Sequence, residues 1–318
     1  MKQDNILQLE NLYKNFNLEA GFFSKKQKIV YAVNDLSLSL KRGSIYGIVG
    51  ESGCGKTTTA RLIIQMYKAS SGNILFKPKD SDNFLNVSSL NKKELKLYRE
   101  QVKYIFQDPA RSLNPRISVY DILTSGLKYS SKWKNKQATQ EAAVKIIQEV
   151  GLSEGDLSRY PTEFSGGQRQ RISIARGLIM NPELLICDEV VSALDVSIQG
   201  QIINLLQDLR QKHNLSYLFI THDLKVACYF SDVIGVMYRG ILVEEAEASS
   251  LYKNAVHPYT KLLFEGIKDS NIEVKSTLQQ ENCCCFAHRC PYADEKCKNS
   301  IPQMREIAEN HKVRCFHI

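Results

Sequence analysis

The chain has 318 residues, 43% hydrophobic and 24% charged, which excludes a disordered chain and leaves room for about two domains, or one large domain with an appendage. Forty-two Lys and Arg against 34 Asp and Glu give +8 at pH 7, favouring anionic partners such as nucleotides, lipid headgroups or nucleic acid without choosing among them. No apolar run reaches the ~18 residues of a membrane span, and the start MKQDNILQLE has no apolar signal core, so the expected location is the cytoplasm.

Apolar alternation at residues 6–9 and 33–40, on either side of a polar stretch at 24–28, predicts strands of an antiparallel sheet. Residues 45–49 read as a buried strand that enters a Gly-rich turn, and residues 56–67 have helical spacing at Leu62, Ile63 and Met66. Residues 77–103 are polar enough for a surface insertion, ahead of a strand at 102–106. Residues 119–150 are helical in pattern and 151–162 loop-like, which outlines a helical subdomain over about 108–180.

Beyond it, helix 168–180, strand 184–187, helix 198–212, strand 217–220 and helix 224–230 alternate as in a parallel sheet covered by helices. A strand pair over 232–245, a helix over 259–267 and a polar linker over 268–282 lead to a tail at 269–318 that carries six of the nine cysteines. Such crowding in a reducing compartment points to metal ligands rather than disulfides.

Residues 50–57, GESGCGKT, satisfy the G-x-x-x-x-G-K-[ST] pattern between a predicted strand and a predicted helix. Gly50, Gly53 and Gly55 let successive N–H groups face one anion, and the helix start adds positive potential. Lys56 can reach the β- and γ-phosphates and the Thr57 hydroxyl can ligate Mg²⁺. Glu51, Ser52, Cys54 and Thr58 complete the expected ATP-binding stretch. The strand and helix on either side argue against a chance Gly-rich turn, and Cys54 reads as a small residue at a variable position rather than a redox switch.

The strand at 184–187 runs into Asp188 and Glu189, adjacent acids that can divide the work: Asp188 on Mg²⁺, Glu189 on the attacking water. Ser165, Gly166, Gly167 and Gln168, ahead of Arg169 and Arg171, form a second helix start suited to an anion. One nucleotide cannot easily use both starts within the same fold.

Taken in order, GESGCGKT, FSGGQRQR (164–171), LLICDE (184–189), SALD (192–195) and THD (221–223) resemble the nucleotide-binding subunits of ABC transporters, over about residues 7–268. The resemblance implies an α/β P-loop NTPase (RecA-like) core with an antiparallel β subdomain and a helical signature subdomain. It also implies two subunits docked head to tail, with ATP between the loop of one and the SGGQ turn of the other. It gives Gln107 a contact to Mg²⁺ and to the membrane partner, His222 a hydrogen bond to the γ-phosphate, and Asp195 a place at the dimer seam. Phe16 would stack on adenine, in competition with Tyr13, Tyr31 and a plain core role. Two positions depart from the family: Phe164 stands for the usual Leu, and Val190 for the usual Pro after the acidic pair, where Pro would stiffen the chain.

The strings YIFQDPARSLNPR (104–116), DEVVSALDVSIQGQI (188–202) and HPYTKLL (257–263) narrow the resemblance to oligopeptide and dipeptide importers, with nickel importers as the alternative. It implies a sister ATPase in a heterodimer, two membrane permeases, an extracytoplasmic receptor, a peripheral place on the cytoplasmic membrane face, and no nucleic-acid partner. A soluble ABC protein acting on nucleic acid would be expected to carry two motor domains or sustained heptads, and a non-hydrolysing regulatory subunit would not be expected to keep Lys56, Asp188, Glu189 and His222 together. In the tail the resemblance implies Cys284, Cys290, Cys297 and Cys315 as ligands of a [4Fe–4S] cluster or of Zn²⁺, with Cys283 and Cys285 as rivals for the first position.

Overall fold

The structure is a computed structural model describing residues 4–18, 28–266 and 282–318. In chain order the elements are β1 (Asn5–Leu18), β2 (Lys28–Lys41), β3 (Ile45–Val49), α1 (Lys56–Ile63), β4 (Ser71–Phe76), β5 (Leu85–Asn86), α2 (Lys92–Gln101), β6 (Val102–Ile105) and α3 (Pro109–Ser112). Next come α4 (Val119–Thr124), α5 (Lys136–Glu149), α6 (Gly166–Leu178), β7 (Leu184–Asp188), α7 (Val196–His213), β8 (Ser216–Thr221) and α8 (Leu224–Phe230). The chain ends with β9 (Val233–Tyr238), β10 (Ile241–Glu247), α9 (Ala248–Asn254), α10 (Pro258–Glu265), α11 (Glu295–Asn299), β11 (Arg305–Ala308) and β12 (His311–Val313).

These elements gather into two compact units. The first takes in residues 76–220, residues 40–44 and the described residues up to Ile6. Its strands β6, β7 and β8 run parallel in that order, with Val102 opposite Leu184 and Asp188 opposite Ile220. All of β7 and β8 is buried, the continuous apolar run expected of parallel strands covered on both faces. Helices α3, α4 and α5 pack on α6, and Val119, Ile122, Ile147, Ile172 and Ala175 are buried among them.

Residues 77–103 are more than a surface insertion. They form α2, whose start is closed by reciprocal bonds between Asn91 and Glu94 and whose Tyr98 is buried edge-on to Phe76, with ring centroids 5.2 Å apart. The expected loop 151–162 contains short 3₁₀ turns at Glu154–Ser158 and Pro161–Glu163.

The second unit is built from described residues between Leu7 and Ser39, from Ile45–Leu75, and from those after Thr221. In it β2, β1 and β4 form one row, and β11, β12, β10, β9 and β3 another. Strand β3 is parallel to β9, while β9, β10, β12 and β11 are antiparallel neighbours. Helix α1 stops at Ile63, short of the expected residue 67, because Gln65 turns left-handed at φ 56° and its N–H folds back to the Leu62 carbonyl. Arg239 (φ 45°) and Gly240 (φ 83°) close the β9–β10 hairpin, the left-handed pair that a tight two-residue turn demands.

The cysteine-rich residues join this unit's core. Strand β12 pairs with β10, placing Val313 opposite Glu244, and Phe286 is buried among Tyr238, Tyr259 and His257. The Glu244 carboxylate, fully buried, accepts hydrogen bonds from the N–H groups of Val256 and His257 and faces His311 Nε2 at 2.8 Å. The polar stretch at 24–28, apart from Lys28, and the linker with its expected boundary at 268/269 fall outside the described residues. Among the described residues no helix is long and apolar enough to cross a membrane.

Candidate functional site

The second unit holds the phosphate loop between β3 and α1. A methyl group on Gly55 (φ 112°) would sit 2.2 Å from the Ala32 carbonyl oxygen, and one on Gly50 would sit 2.1 Å from that of Met237. Both clashes are with backbone, so only glycine fits these positions. Gly53 (φ 80°) needs glycine for its dihedral alone, since nothing lies within 4 Å of its would-be Cβ. The hairpin turn at Gly240 buttresses the loop: its N–H donates to the Cys54 carbonyl at 2.8 Å.

Lys56 is 4% exposed, and its Nζ donates to the loop's own carbonyls at Gly50 (2.7 Å) and Glu51 (2.9 Å). Those two bonds hold the ammonium within the loop. Ser52 and Gly53 are exposed, Thr57 and Thr58 half-buried. The Cys54 thiol is buried, and burial raises its pKa, which suits a packing residue better than a reactive one. Phe16 is half-buried, edge-on to Tyr67 at 5.5 Å with the Lys14 ammonium over its ring. His222 is exposed in the two-residue connection from β8 to α8, where Asp223 caps the helix through the N–H groups of Lys225 and Val226.

Two later residues that the sequence did not assign to this loop hold it in place. Tyr259 Oη accepts the Glu51 N–H at 2.9 Å, and Arg289 Nη1 donates to both Glu51 carboxylate oxygens at 3.0 and 2.9 Å. The Arg289 guanidinium lies over the Tyr238 and Phe286 rings.

The first unit holds the acidic pair. Asp188, 2% exposed at the end of β7, accepts a hydrogen bond from the Tyr104 hydroxyl on neighbouring β6. Tyr104 was also missed, since a tyrosine in a short strand carries no signal of its partner. Glu189 follows at φ 49°, a left-handed conformation uncommon outside glycine, and takes the Gln107 side-chain amide at 2.7 Å. Gln107 thus lies on the acidic pair, while Val190 is buried at 1% exposure.

The same unit carries the Ser165 turn at the start of α6. Ser165 Oγ accepts the Gln168 N–H, and Gln168 Oε1 accepts the Ser165 N–H, a reciprocal cap that leaves the Gly166 and Gly167 N–H groups at the helix's open end. A Cβ on Gly167 would meet Ile198 at 2.8 Å. Arg169 and Arg171 turn inward to the carbonyls of Phe164 and Val150, so they brace the turn rather than face an anion. Asp195 is exposed at the start of α7.

In the tail, Cys284 and Cys297 are joined by a hydrogen bond from the Cys284 N–H to the Cys297 carbonyl (2.8 Å), and burial pushes the Cys290 thiol up. The Cys284 thiol is held down at about 6, first by the hydrogen bond from Cys285 and, after the opposing effect of burial, by backbone bonds from Phe286 and Ala287. Asp294 and His317 stand beside Cys297: His317 Nε2 is 3.4 Å from its sulfur and 3.6 Å from Asp294 Oδ2. Among the described residues these three are the group close enough to share one metal ion, and neither Asp294 nor His317 was expected.

The sequence profile of the ABC transporter family matches residues 33–192, and that of the oligopeptide/dipeptide transporter C-terminal region matches residues 243–297. The chain is 42% identical to the oligopeptide transport ATP-binding protein AppF of Bacillus subtilis (strain 168), over 98% of this chain and 97% of that one. It is 45% identical to the dipeptide transport ATP-binding protein DppF of Lactococcus lactis subsp. cremoris, over 79% of each. Among solved structures, the ADP- and Pi-bound dimer of the ATP-binding cassette MJ0796 matches with a TM-score of 0.64 at 26% identity, covering 76% of this chain and 98% of that one. With a phosphate loop, an acidic pair and a capped glycine turn all formed in one chain, it belongs to the ABC transporter family, as an ATP-binding and ATP-hydrolysing member of its oligopeptide and dipeptide branch.

Proposed function

We propose that the chain powers the uptake of oligopeptides or dipeptides through two membrane permeases, as one of two non-identical ATPases on the cytoplasmic face of the membrane. The observation that carries this reading is the loop around Lys56, whose ammonium is buried and bonded to the carbonyls of Gly50 and Glu51. The loop at residues 50–58 receives the phosphates, Thr57, Asp188 and Gln107 serve Mg²⁺, and Glu189 orients the attacking water. His222 bonds the γ-phosphate and Phe16 stacks on the base. Ser165, Gly166, Gly167 and Gln168 act on the nucleotide of the sister subunit across a seam that includes Asp195. Catalysis is then positioning and electrostatic stabilisation of charge on the transferring group.

In the tail, Cys284, Cys290, Cys297 and Cys315 are the donors for a [4Fe–4S] cluster, with Zn²⁺ as the alternative. The lowered Cys284 thiol supports that residue over Cys283 and Cys285 as the first ligand. Four thiolates suit either group, and a bound cluster or ion would cross-link residues far apart in the tail. Iron and zinc analysis of anaerobically purified protein, with its absorption spectrum, decides between them.

The whole reading is tested by reconstituting the chain in proteoliposomes with its permeases, sister ATPase and receptor, and measuring ATP-dependent uptake of labelled peptides and of nickel. Peptide uptake that needs ATP is expected. Nickel uptake without peptide uptake would transfer the chain to the nickel importers.

A further inference from the structure

We propose that Arg289, contributed by the C-terminal region, is a positioning residue of the nucleotide site that fixes Glu51 and cancels its charge at the entrance of the phosphate loop. The proposal rests on residues 50–58 being the ATP loop.

Residue 51 is gripped at three points. Its N–H donates to Tyr259, its carbonyl accepts from Lys56, and its carboxylate is bound by Arg289. Bonds between Lys56 and the loop carbonyls compete with bonds to phosphate, so an arriving nucleotide draws the ammonium away. The loop's first turn is then held by Tyr259 and Arg289.

Arg289 is suited to this task because little freedom remains to it. Its side chain is 10% exposed, its guanidinium lies 5.8 Å from the Tyr238 ring centre and 5.7 Å from that of Phe286, and its own N–H bonds to the Phe286 carbonyl. Phe286 in turn is 1% exposed. An ion pair assembled on a rigid aromatic base differs from a fraying surface pair, because little side-chain entropy is left to lose.

The charge itself matters as much as the geometry. Glu51 places a carboxylate inside a loop built to bind a polyanion, and the two repel unless the carboxylate is neutralised. Arg289 supplies the neutralising charge while seated against the Tyr238 and Phe286 rings. Without it, ATP would meet an uncompensated anion as well as a loosened turn.

Equilibrium binding of radiolabelled MgATP to the full chain separates the two contributions. We expect R289A to weaken ATP binding roughly tenfold, which corresponds to about 1.4 kcal/mol. R289K keeps the charge and is expected within roughly threefold of the parent chain. The decisive variant is the double one: E51Q introduced into R289A removes the stranded charge and restores most of the affinity, which a purely structural role for Arg289 would not produce. In the assembled transporter the R289A defect appears in KM for ATP rather than in kcat.

Unchanged ATP binding by R289A, or an R289A/E51Q double variant as weak as R289A, overturns the proposal. Should R289A not fold, R289Q keeps a planar head between the rings without the charge and carries the same expectations. A parent chain that itself fails to bind MgATP would sink the reading of the loop, and is recognised by losing binding without any change at Arg289.

Discussion

The side-chain amide of Gln107 donates to the Glu189 carboxylate at 2.7 Å, so the residue expected to sense a membrane partner touches the residue expected to orient water. Glu189 adopts φ 49° directly after the buried Asp188, and its main-chain N–H bonds to the Ile220 carbonyl. Its backbone is fixed from the strand side while its side chain is steered by Gln107. Replacing Glu189 by Gln keeps this shape and removes the carboxylate base. Hydrolysis by the assembled transporter should fall roughly 100-fold or more while MgATP binding persists. Near-normal turnover in that variant would remove Glu189 from the role.

The glycines of the phosphate loop should not be equally sensitive. G55A drives a methyl group into the Ala32 carbonyl and G50A into that of Met237, so both should lose ATP binding and unfold at lower denaturant concentration. G53A meets no neighbour and carries only the strain of a left-handed alanine, about 1–2 kcal/mol, with the fold kept. Urea melts of the three variants rank them, and a G53A chain as unstable as G55A would contradict the geometry.

Ser165 closes the start of α6, so S165A should cost about 1 kcal/mol of stability. Because the turn is assigned to the sister subunit's nucleotide, the isolated chain should bind MgATP as before, and only the assembled transporter should slow. Weakened binding by the isolated S165A chain would place the turn at its own nucleotide instead.

His257 should make the second unit acid-labile. Burial lowers its pKa to about 4, with Nδ1 accepting the Tyr259 N–H in a site closed by Phe286. At pH values above the ordinary 6.5 the ring is neutral folded and unfolded, and no penalty exists. As pH falls from 6.5 towards 4 the unfolded chain gains a proton that the folded one refuses, so stability drops, by about 3 kcal/mol in full. H257N keeps a capping acceptor for α10 and should flatten this part of the pH–stability curve. An unchanged curve would trace the acid sensitivity elsewhere.

Much of this site could be read from the chain because its chemistry is local. The glycines and the lysine of the phosphate loop fall together at residues 50–56, directly after β3, although the backbone atoms that demand glycine there belong to Ala32 and Met237, and the run at 45–49 and the helix at 224–230 have the bounds expected from apolar spacing. Helix α2 escaped because only Leu95, Leu97 and Tyr98 break its polar surface, although the Asn91–Glu94 cap was there to be seen. Tyr104 and Arg289 escaped for another reason. Their partners, Asp188 and Glu51, are 84 and 238 residues away, and no periodicity encodes a contact at that separation.

That separation bears on how the protein is made. The loop at residues 50–57 leaves the ribosome before the residues that hold it: its Glu51 is bound by Tyr259, 208 residues later, and by Arg289, 238 residues later. A nascent chain therefore carries the most recognisable element of its nucleotide site long before it can hold that element in shape, and competence to grip ATP arrives only once residue 289 has been made.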